Sequence, residues 1–533
     1  MSPKNSIRRW FFTGLLVGAI ATIIYYVGTE FFGLPYPPEA IFQLLINPVP
    51  GSVQSVAVEN LRQYAKYGAL TFASVVFAVL YGAVGVLMGV LSDRKFSRTM
   101  VIGIGTAVAA IIALGMESVF ASSVSILTSI SGWVVVGALA IVISFGFSYS
   151  FVSIVHLPLH AAVQTGVELS PSRRRLLKRV GFGALAVVAV YLAARIGLSL
   201  FNSQPVIQSN TAVPVNPGQV EVSSATGPLP SIFNDPRIAD LVQSEVTDER
   251  VFYRVDIDPF PPSIDFNQWM LNVTGKVNKT LTIAKNDLLA MPSTDEYATL
   301  ECVSNTINPP GALISNGKWT GVPLATVLNQ AGLTPDAVYV IFHCADGYTV
   351  GIPKERALEP GALLAYKMND QLLPPEHGSP LRAIVPGLYG MMNAKWITGI
   401  EASDSIYLGY WQERGWTNGA QINTTSIIYY PQAGAQVSGT IPIAGVAFAG
   451  DRGISKVEVS TDGGNTWNMA QLKPPKSPYS WVLWAYEWTP TGPGTYTIIV
   501  RATDGTGTAQ DPTSTQPFPN GATGYNSIEV NVS

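Results

Sequence analysis

Cysteine is scarce in this chain: Cys302 and Cys344 are the only two among 533 residues. Two cysteines exclude a disulfide-built scaffold and leave room for one bridge at most. No Cys-x-x-Cys-His run occurs, so the covalent attachment signal of a c-type haem is missing. Charge is sparse too, at 13% of residues, and unevenly placed. Before residue 205 there are 14 Lys and Arg against 6 Asp and Glu, a balance of +8; after it there are 18 against 29, a balance of −11. Neither part shows a basic patch interleaved with aromatics, so nucleic acid is not an expected partner.

Long apolar runs fill the space that charge leaves. Five segments, at about 10–32, 68–91, 100–120, 132–155 and 180–201, are long enough to cross a hydrocarbon core of about 30 Å. Basic clusters fall before the first (Lys4, Arg8, Arg9), after the second (Arg94, Lys95, Arg98) and before the fifth (Arg173, Arg174, Arg175, Lys178, Arg179). With five spans all three lie on one side, and the positive-inside rule makes it cytoplasmic. Everything after about residue 202 is then expected outside the cytoplasm. The run Ser172-Arg173-Arg174-Arg175-Leu176-Leu177-Lys178 resembles a twin-arginine export motif, and a plain positive-inside cluster is the other account of it. His156 and His160, four apart, offer a haem only one helix's ligands.

Residues 205–248 are rich in Pro, Ser, Asn and Val without apolar period and read as a linker. From 249 to 423 short β-branched and aromatic runs alternate with Gly/Pro turns. Val338–Phe342, Trp269–Val273 and Arg382–Val385 read as strands, and Leu324–Leu328 after Pro323 as a helix. The pattern is α+β. From 424 to 533 alternating strands dominate: Val457–Thr461 runs into Asp462-Gly463-Gly464, Tyr496–Asp504 follows, and Ile528–Val532 ends the set, as in a β-sandwich.

Within the α+β segment five motifs stand in order: Phe252-Tyr253-Arg254-Val255-Asp256; Thr299-Leu300-Glu301-Cys302-Val303-Ser304-Asn305; His377-Gly378-Ser379-Pro380-Leu381-Arg382; Pro386-Gly387-Leu388-Tyr389-Gly390; and Lys395-Trp396. In this order and spacing they resemble the molybdopterin-binding domain of the sulfite oxidase family. The resemblance implies that Cys302 is the thiolate ligand of molybdenum, a soft donor for a metal already held by the dithiolene sulfurs of the pterin. It implies that His377, Arg382 and Lys395 hold the pterin and its phosphate, that Phe252, Tyr253, Arg254 and Asp256 contact the pterin edge, and that Asn305, Asp346 and Asn393 contribute further cofactor contacts. Tyr348 would face the substrate. The last segment, with Asp462-Gly463-Gly464-Asn465-Thr466-Trp467 and Gly521-Ala522-Thr523-Gly524-Tyr525, is similar to the family's immunoglobulin-like dimerisation domain.

The expected architecture is therefore multidomain: an α-helical membrane bundle over 1–204, a linker over 205–248, an α+β molybdopterin domain over 249–423 and an Ig-like sandwich over 424–533. The expected activity is two-electron oxygen-atom transfer, as an oxidase of sulfite or a related sulfur compound, with molybdenum-molybdopterin as cofactor. A separate electron-transfer partner (a redox protein or quinone) and a homodimer are implied. One departure bears on substrate. Animal and plant sulfite oxidases follow their cysteine with Ala-Gly-Asn-Arg, whereas here Cys302 is followed by Val303-Ser304-Asn305-Thr306, without the arginine. Reduction of S-oxides, N-oxides or nitrate is the alternative reaction. A non-catalytic anchored ectodomain with a Cys302–Cys344 disulfide is the alternative of another class.

Overall fold

The apolar runs of the first part form long helices in the computed structural model, which describes residues 3–32, 36–46, 49, 53–54, 63–94, 96–118, 130–155, 229–258 and 260–533. They are α1 (Pro3–Phe32), α2 (Pro38–Ile46), α3 (Gln63–Asp93), α4 (Arg98–Ser118) and α5 (Ile130–Val155). Among the described residues four helices, α1, α3, α4 and α5, are long and apolar enough to cross a membrane. The fifth expected span, the arginine run at 172–178, His156 and His160 lie outside the described residues. Phe12, Ile111 and Val142 are more than 60% exposed, an apolar outer surface that suits lipid rather than water.

The described residues divide between two compact units. The first contains α1–α5 and residues 258–263. Its core is aromatic, with Tyr25, Phe77, Tyr81 and Phe151 buried together. Gly85 of α3 faces Gly14 of α1: a Cβ on Gly85 would stand 2.8 Å from the Gly14 Cα, so only glycine permits this crossing. Phe260 belongs to the same core, its ring 6.2 Å from those of Tyr26 and Tyr36, and Asp258 accepts a hydrogen bond from Gln43 Nε2.

The second unit contains the remaining residues from 229 onward and Gln54. Residues 229–248, expected as linker, are folded. Phe233 and Ile238 are apolar enough to bury themselves in the core of this unit, and Thr247 and Glu245 follow them inside. Ten strands come next: β1 (Met270–Gly275), β2 (Leu281–Ala284), β3 (Thr294–Glu301), β4 (Ile314–Pro323), β5 (Tyr339–Cys344), β6 (Thr349–Pro353), β7 (Leu363–Met368), β8 (Gln371–Leu372), β9 (Arg382–Ile384) and β10 (Ile397–Ser403). One sheet has the order β2-β1-β10-β5-β6, with β1 and β10 parallel. The other has the order β3-β4-β7-β8, with β9 on β7. Helix α6 (Leu324–Ala331) follows Pro323 and ends on Gly332 in the left-handed conformation that stops a helix. The domain is α+β, as expected.

Nine further strands form the sandwich: β11 (Thr425–Tyr430), β12 (Gln436–Val437), β13 (Ile441–Phe448), β14 (Ile454–Ser460), β15 (Asn468–Met469), β16 (Gln471–Leu472), β17 (Val482–Trp488), β18 (Gly494–Asp504) and β19 (Asn526–Val532). The sheets are β11-β13-β17-β16 and β12-β19-β18-β14-β15. Their inner faces bury Ile443, Trp484, Val459, Val500 and Val530. Strand β13 is buried on both faces, because Val446 and Phe448 join the core of the α+β domain while Ile441 and Ile443 fill the sandwich. The two domains are thereby packed through a continuous apolar core.

Candidate active site

Cys302 is the first residue after β3. Its N–H donates to Leu313 O at 2.9 Å, and the turn closes with Asn305 N–H on Cys302 O at 3.0 Å. Asn305 then staples the turn: its Nδ2 donates to Glu301 Oε1 at 2.9 Å and its Oδ1 accepts Leu313 N–H at 3.1 Å. The Cys302 Sγ lies 3.0 Å from Ser304 Oγ, and burial pushes the thiol pKa up. A buried thiol that resists ionisation loses its proton to solvent readily only where a cation or a bound metal stabilises the thiolate. Burial also pushes the neighbouring Glu301 carboxyl up to about 7.

The cationic residues come from the segment 375–396. Arg382 opens β9 and is buried; its Nη1 donates to His377 O at 3.0 Å and its guanidinium stands 4.8 Å from the Trp319 ring centroid. Among the described residues no carboxylate pairs with it and its Nε has no hydrogen-bond partner. Burial lowers its pKa to about 10, so it remains a cation at neutral pH. His377 Nε2 donates to Glu249 O at 2.6 Å, while burial, with the nearby Arg382, Lys395 and Arg254 charges, lowers its pKa to about 3. The imidazole is therefore neutral, with Nδ1 left as acceptor. Lys395 pairs with Asp256 and donates to Glu376 O at 3.1 Å. Gly378, at φ 109°, lets this loop pass Lys395, since a Cβ there would lie 2.9 Å from the Lys395 Cβ. Phe252 packs between Trp319 and His377, with ring centroids at 5.6 and 5.5 Å.

A third wall follows β5. Asp346 accepts Tyr348 N–H at 3.0 Å, and burial raises its pKa to about 6. The Tyr348 hydroxyl donates to Met391 O at 2.6 Å, so this hydroxyl is spent on the backbone. Asn393 likewise serves its own loop: Oδ1 accepts Val385 N–H at 2.7 Å and Nδ2 donates to Leu388 and Tyr389 carbonyls.

Ten of the expected residues line one cavity: Phe252, Tyr253, Asp256, Cys302, Asp346, Tyr348, His377, Arg382, Asn393 and Lys395. Arg254 and Asn305 do not. Arg254 is exposed beside the His377 region, and Asn305 is buried behind the Cys302 turn. The cavity also has walls that the motifs did not reveal: Gln54, Ser304, Met391, Trp411 and Trp416. Ser304 and Met391 sat inside or beside quoted motifs; nothing local to Gln54 or the two tryptophans marks them. Cys302 and Cys344 are both free thiols. The bridge of the disulfide alternative is therefore not formed in this structure.

These residues suit an anionic, sulfur-bearing cofactor. A buried guanidinium without a carboxylate costs stability unless an anion meets it, and its unpartnered Nε is the donor such an anion would take. The Cys302 thiol in the same cavity supplies a soft metal ligand.

The family models that match the chain point the same way. The family model described as "Oxidoreductase molybdopterin binding domain" matches residues 258–411, and that described as "Mo-co oxidoreductase dimerisation domain" matches 417–517. Mitochondrial sulfite oxidase of Mus musculus is 30% identical over 311 residues, covering 50% of this chain and 57% of that protein. The uncharacterized oxidoreductase YuiH of Bacillus subtilis (strain 168) is 33% identical over 152 residues, covering 28% of this chain and 74% of that protein. Among solved structures, the sulfane dehydrogenase SoxCD of Paracoccus pantotrophus is 24% identical with a TM-score of 0.48, covering 53% of this chain and 80% of that one. The chain thus spans little more than half the length of the mouse relative.

Proposed function

Because the chain belongs to the sulfite oxidase family of molybdopterin oxidoreductases, we propose that it is a membrane-anchored enzyme that moves one oxygen atom and two electrons to or from a small sulfur compound, oxidising sulfite or a relative of it. The observation that carries this reading is the shared cavity of the Cys302 thiol and the Arg382 cation, which forms no ion pair with a carboxylate among the described residues. Molybdenum-molybdopterin supplies the two-electron, oxygen-atom chemistry when bound. Cys302 would ligate the metal through sulfur, and Arg382 would meet the phosphate with its free Nε–H. Lys395, held by Asp256, and neutral His377, held by Glu249 O, would fix the polar edge of the pterin. Phe252, Tyr253 and Trp396 would exclude water from it.

The external placement of residues 229–533 is part of the proposal and rests on the basic clusters and the five apolar segments of the sequence, four of which are helices among the described residues. Electrons would pass to a separate redox partner, and the match at 417–517 supports a homodimer. A second reading reverses the reaction: reduction of an S-oxide or N-oxide. It is favoured by the residues after Cys302, where Val303, Ser304, Asn305 and Thr306 offer a substrate anion no positive charge.

The test is molybdenum and pterin content of the native protein beside Cys302→Ala. About one molybdenum per chain with pterin in the native protein, and loss of metal or activity in the variant, is the expected result. Native protein without molybdenum or pterin, made in a host competent for the cofactor, overturns the proposal.

A further inference from the structure

Cys302 stands at the base of the loop that joins β3 to β4. The two strands pair up to Glu301 opposite Ile314, and the loop is closed at its base by Cys302 N–H on Leu313 O at 2.9 Å. A loop residue is placed only as well as its loop is held. A metal ligand tolerates little error in that placement, about 0.2 Å in a bond to the metal.

The sandwich domain holds this hairpin on both sides of Cys302. Three residues earlier, β3 is the edge strand of its sheet, and the segment 479–481 lies along that edge. Thr299 N–H donates to Tyr479 O at 3.0 Å, and Trp481 N–H donates to Thr299 Oγ1 at 2.9 Å. The Thr299 hydroxyl gives its own hydrogen to Asn316 Oδ1 of β4 at 3.0 Å, so one buried side chain joins both strands to the sandwich. Beyond Cys302, the start of β19 grips the loop at Ile307 and Asn308. Asn526 Nδ2 donates to Ile307 O at 2.9 Å and to Asn308 Oδ1 at 3.1 Å. Asn308 Oδ1 also accepts Ser527 N–H at 3.1 Å, and its Nδ2 donates to Tyr525 O at 2.6 Å.

Asn526 is a firm anchor. It is fully buried and opens β19 in one sheet of the sandwich, while its Oδ1 accepts Ile428 N–H of β11, in the other sheet, at 2.8 Å. One end of its amide is thus spent on the sandwich and the other on the Cys302 loop. Thr299, Ile307, Asn308, Tyr479 and Asn526 do not line the cavity. Whatever they do for the reaction passes through the placement of Cys302.

We propose that the sandwich domain is the positioning element of the Cys302 thiol, through Asn526 and Asn308 on the far side of the loop and through residues 479–481 on Thr299. This rests on the proposed function, in which Cys302 ligates molybdenum, and gives the sandwich a role within its own chain. Supporting contacts of this kind orient metal ligands from outside the site.

The experiment follows the thiolate-to-metal charge-transfer absorption of the loaded, oxidised protein, with molybdenum content, melting temperature and sulfite oxidation by ferricyanide measured in parallel. Cys302→Ser removes the sulfur and identifies the band. Asn308→Ala is expected to shift or weaken the band and to lower kcat roughly ten- to a hundredfold at similar KM, the size expected for a reacting group misplaced by about 1 Å. Molybdenum is retained, because Arg382, His377 and Lys395 are untouched. Asn308→Asp keeps the oxygen that accepts from Asn526 and Ser527 and is expected to restore the band. Val459→Ala opens a cavity in the sandwich core away from the loop; it is expected to lower the melting temperature and leave band and kcat native. If Asn308→Ala does not fold, Thr299→Val against Thr299→Ser gives the same comparison at the other contact, since only Ser keeps the hydroxyl. The band is read whether or not sulfite is the substrate. A native band in loaded Asn308→Ala or Thr299→Val, or the same change in Val459→Ala, overturns the inference and leaves the function standing. Native protein without molybdenum or pterin overturns the function itself.

Discussion

Asn305 spans the Cys302 turn, giving its Nδ2–H to the Glu301 carboxyl at 2.9 Å while its Oδ1 takes Leu313 N–H at 3.1 Å. The side chain thus fixes both ends of the segment that carries the thiol, without reaching the cavity. Asn305→Ala would strand a buried carboxyl and a backbone N–H, each costing about 1–3 kcal/mol. We expect a lower melting temperature and reduced molybdenum content in this variant, whereas Asn305→Gln, too long for the turn, should rescue neither. Calorimetry with metal analysis checks it; native stability and loading in Asn305→Ala would show that the turn is held by other contacts.

Arg382 is expected to decide cofactor retention. Replacing it by Gln removes the buried cation and leaves only a neutral donor; replacing it by Lys keeps charge but loses the fork. A charge-assisted hydrogen bond to phosphate is worth about 1.5–3 kcal/mol, so affinity should fall by roughly 10- to 100-fold in the Gln variant. Pterin released per chain is the measurement, and equal release from native and Arg382→Gln protein would sink the assignment.

The pH dependence of stability should carry two opposite contributions. His377 ionises with a pKa near 3 in the fold against 6.5 for a free imidazole. Between those values the unfolded chain binds the extra proton, so stability falls as pH drops from about 6.5 toward 3. Glu301 is held up to about 7 against 4.5. Here the folded chain binds the extra proton, so stability falls as pH rises from about 4.5 to 7. Thermal melting across this range should show His377→Asn losing part of the acid-side slope and Glu301→Gln losing part of the slope toward neutrality. Parallel curves for native and variants would refute both.

Gly378 permits the approach of the 375–378 turn to Lys395. Gly378→Ala combines a left-handed backbone with a Cβ contact of 2.9 Å, and should cost about 1–3 kcal/mol with a loss of cofactor. Unchanged melting and pterin content would show that the loop yields.

In the helical unit, Gly85→Leu should prevent α1 from packing on α3, because the added side chain would occupy the space of the Gly14 backbone. Expression in membranes with detergent-resistant folding lost, while Leu87→Ala on the exposed side is tolerated, is the expected pattern. Equal behaviour of the two variants would disprove this crossing.

Features that depend on local composition are legible in the chain alone. Runs of apolar residues marked the helices, β-branched alternation marked β1, β5 and the sandwich strands, and the family resemblance carried by the motifs around Cys302, His377, Arg382 and Lys395 marked most of the cavity. These signals are legible because hydrophobic period and side-chain chemistry are properties of short segments. Which side chains face inward was set by packing between distant segments. It turned Arg254 to solvent and Asn305 into the turn behind the thiol, occupied the Tyr348 hydroxyl with Met391 O, folded Phe233 and Ile238 out of an apparent linker, and brought Gln54 and Trp416 into the lining of the cavity that Cys302 also lines. No local pattern encodes those placements. They follow from loops more than a hundred residues apart closing over one core, where burying apolar surface and satisfying backbone groups fix the rotation of each segment.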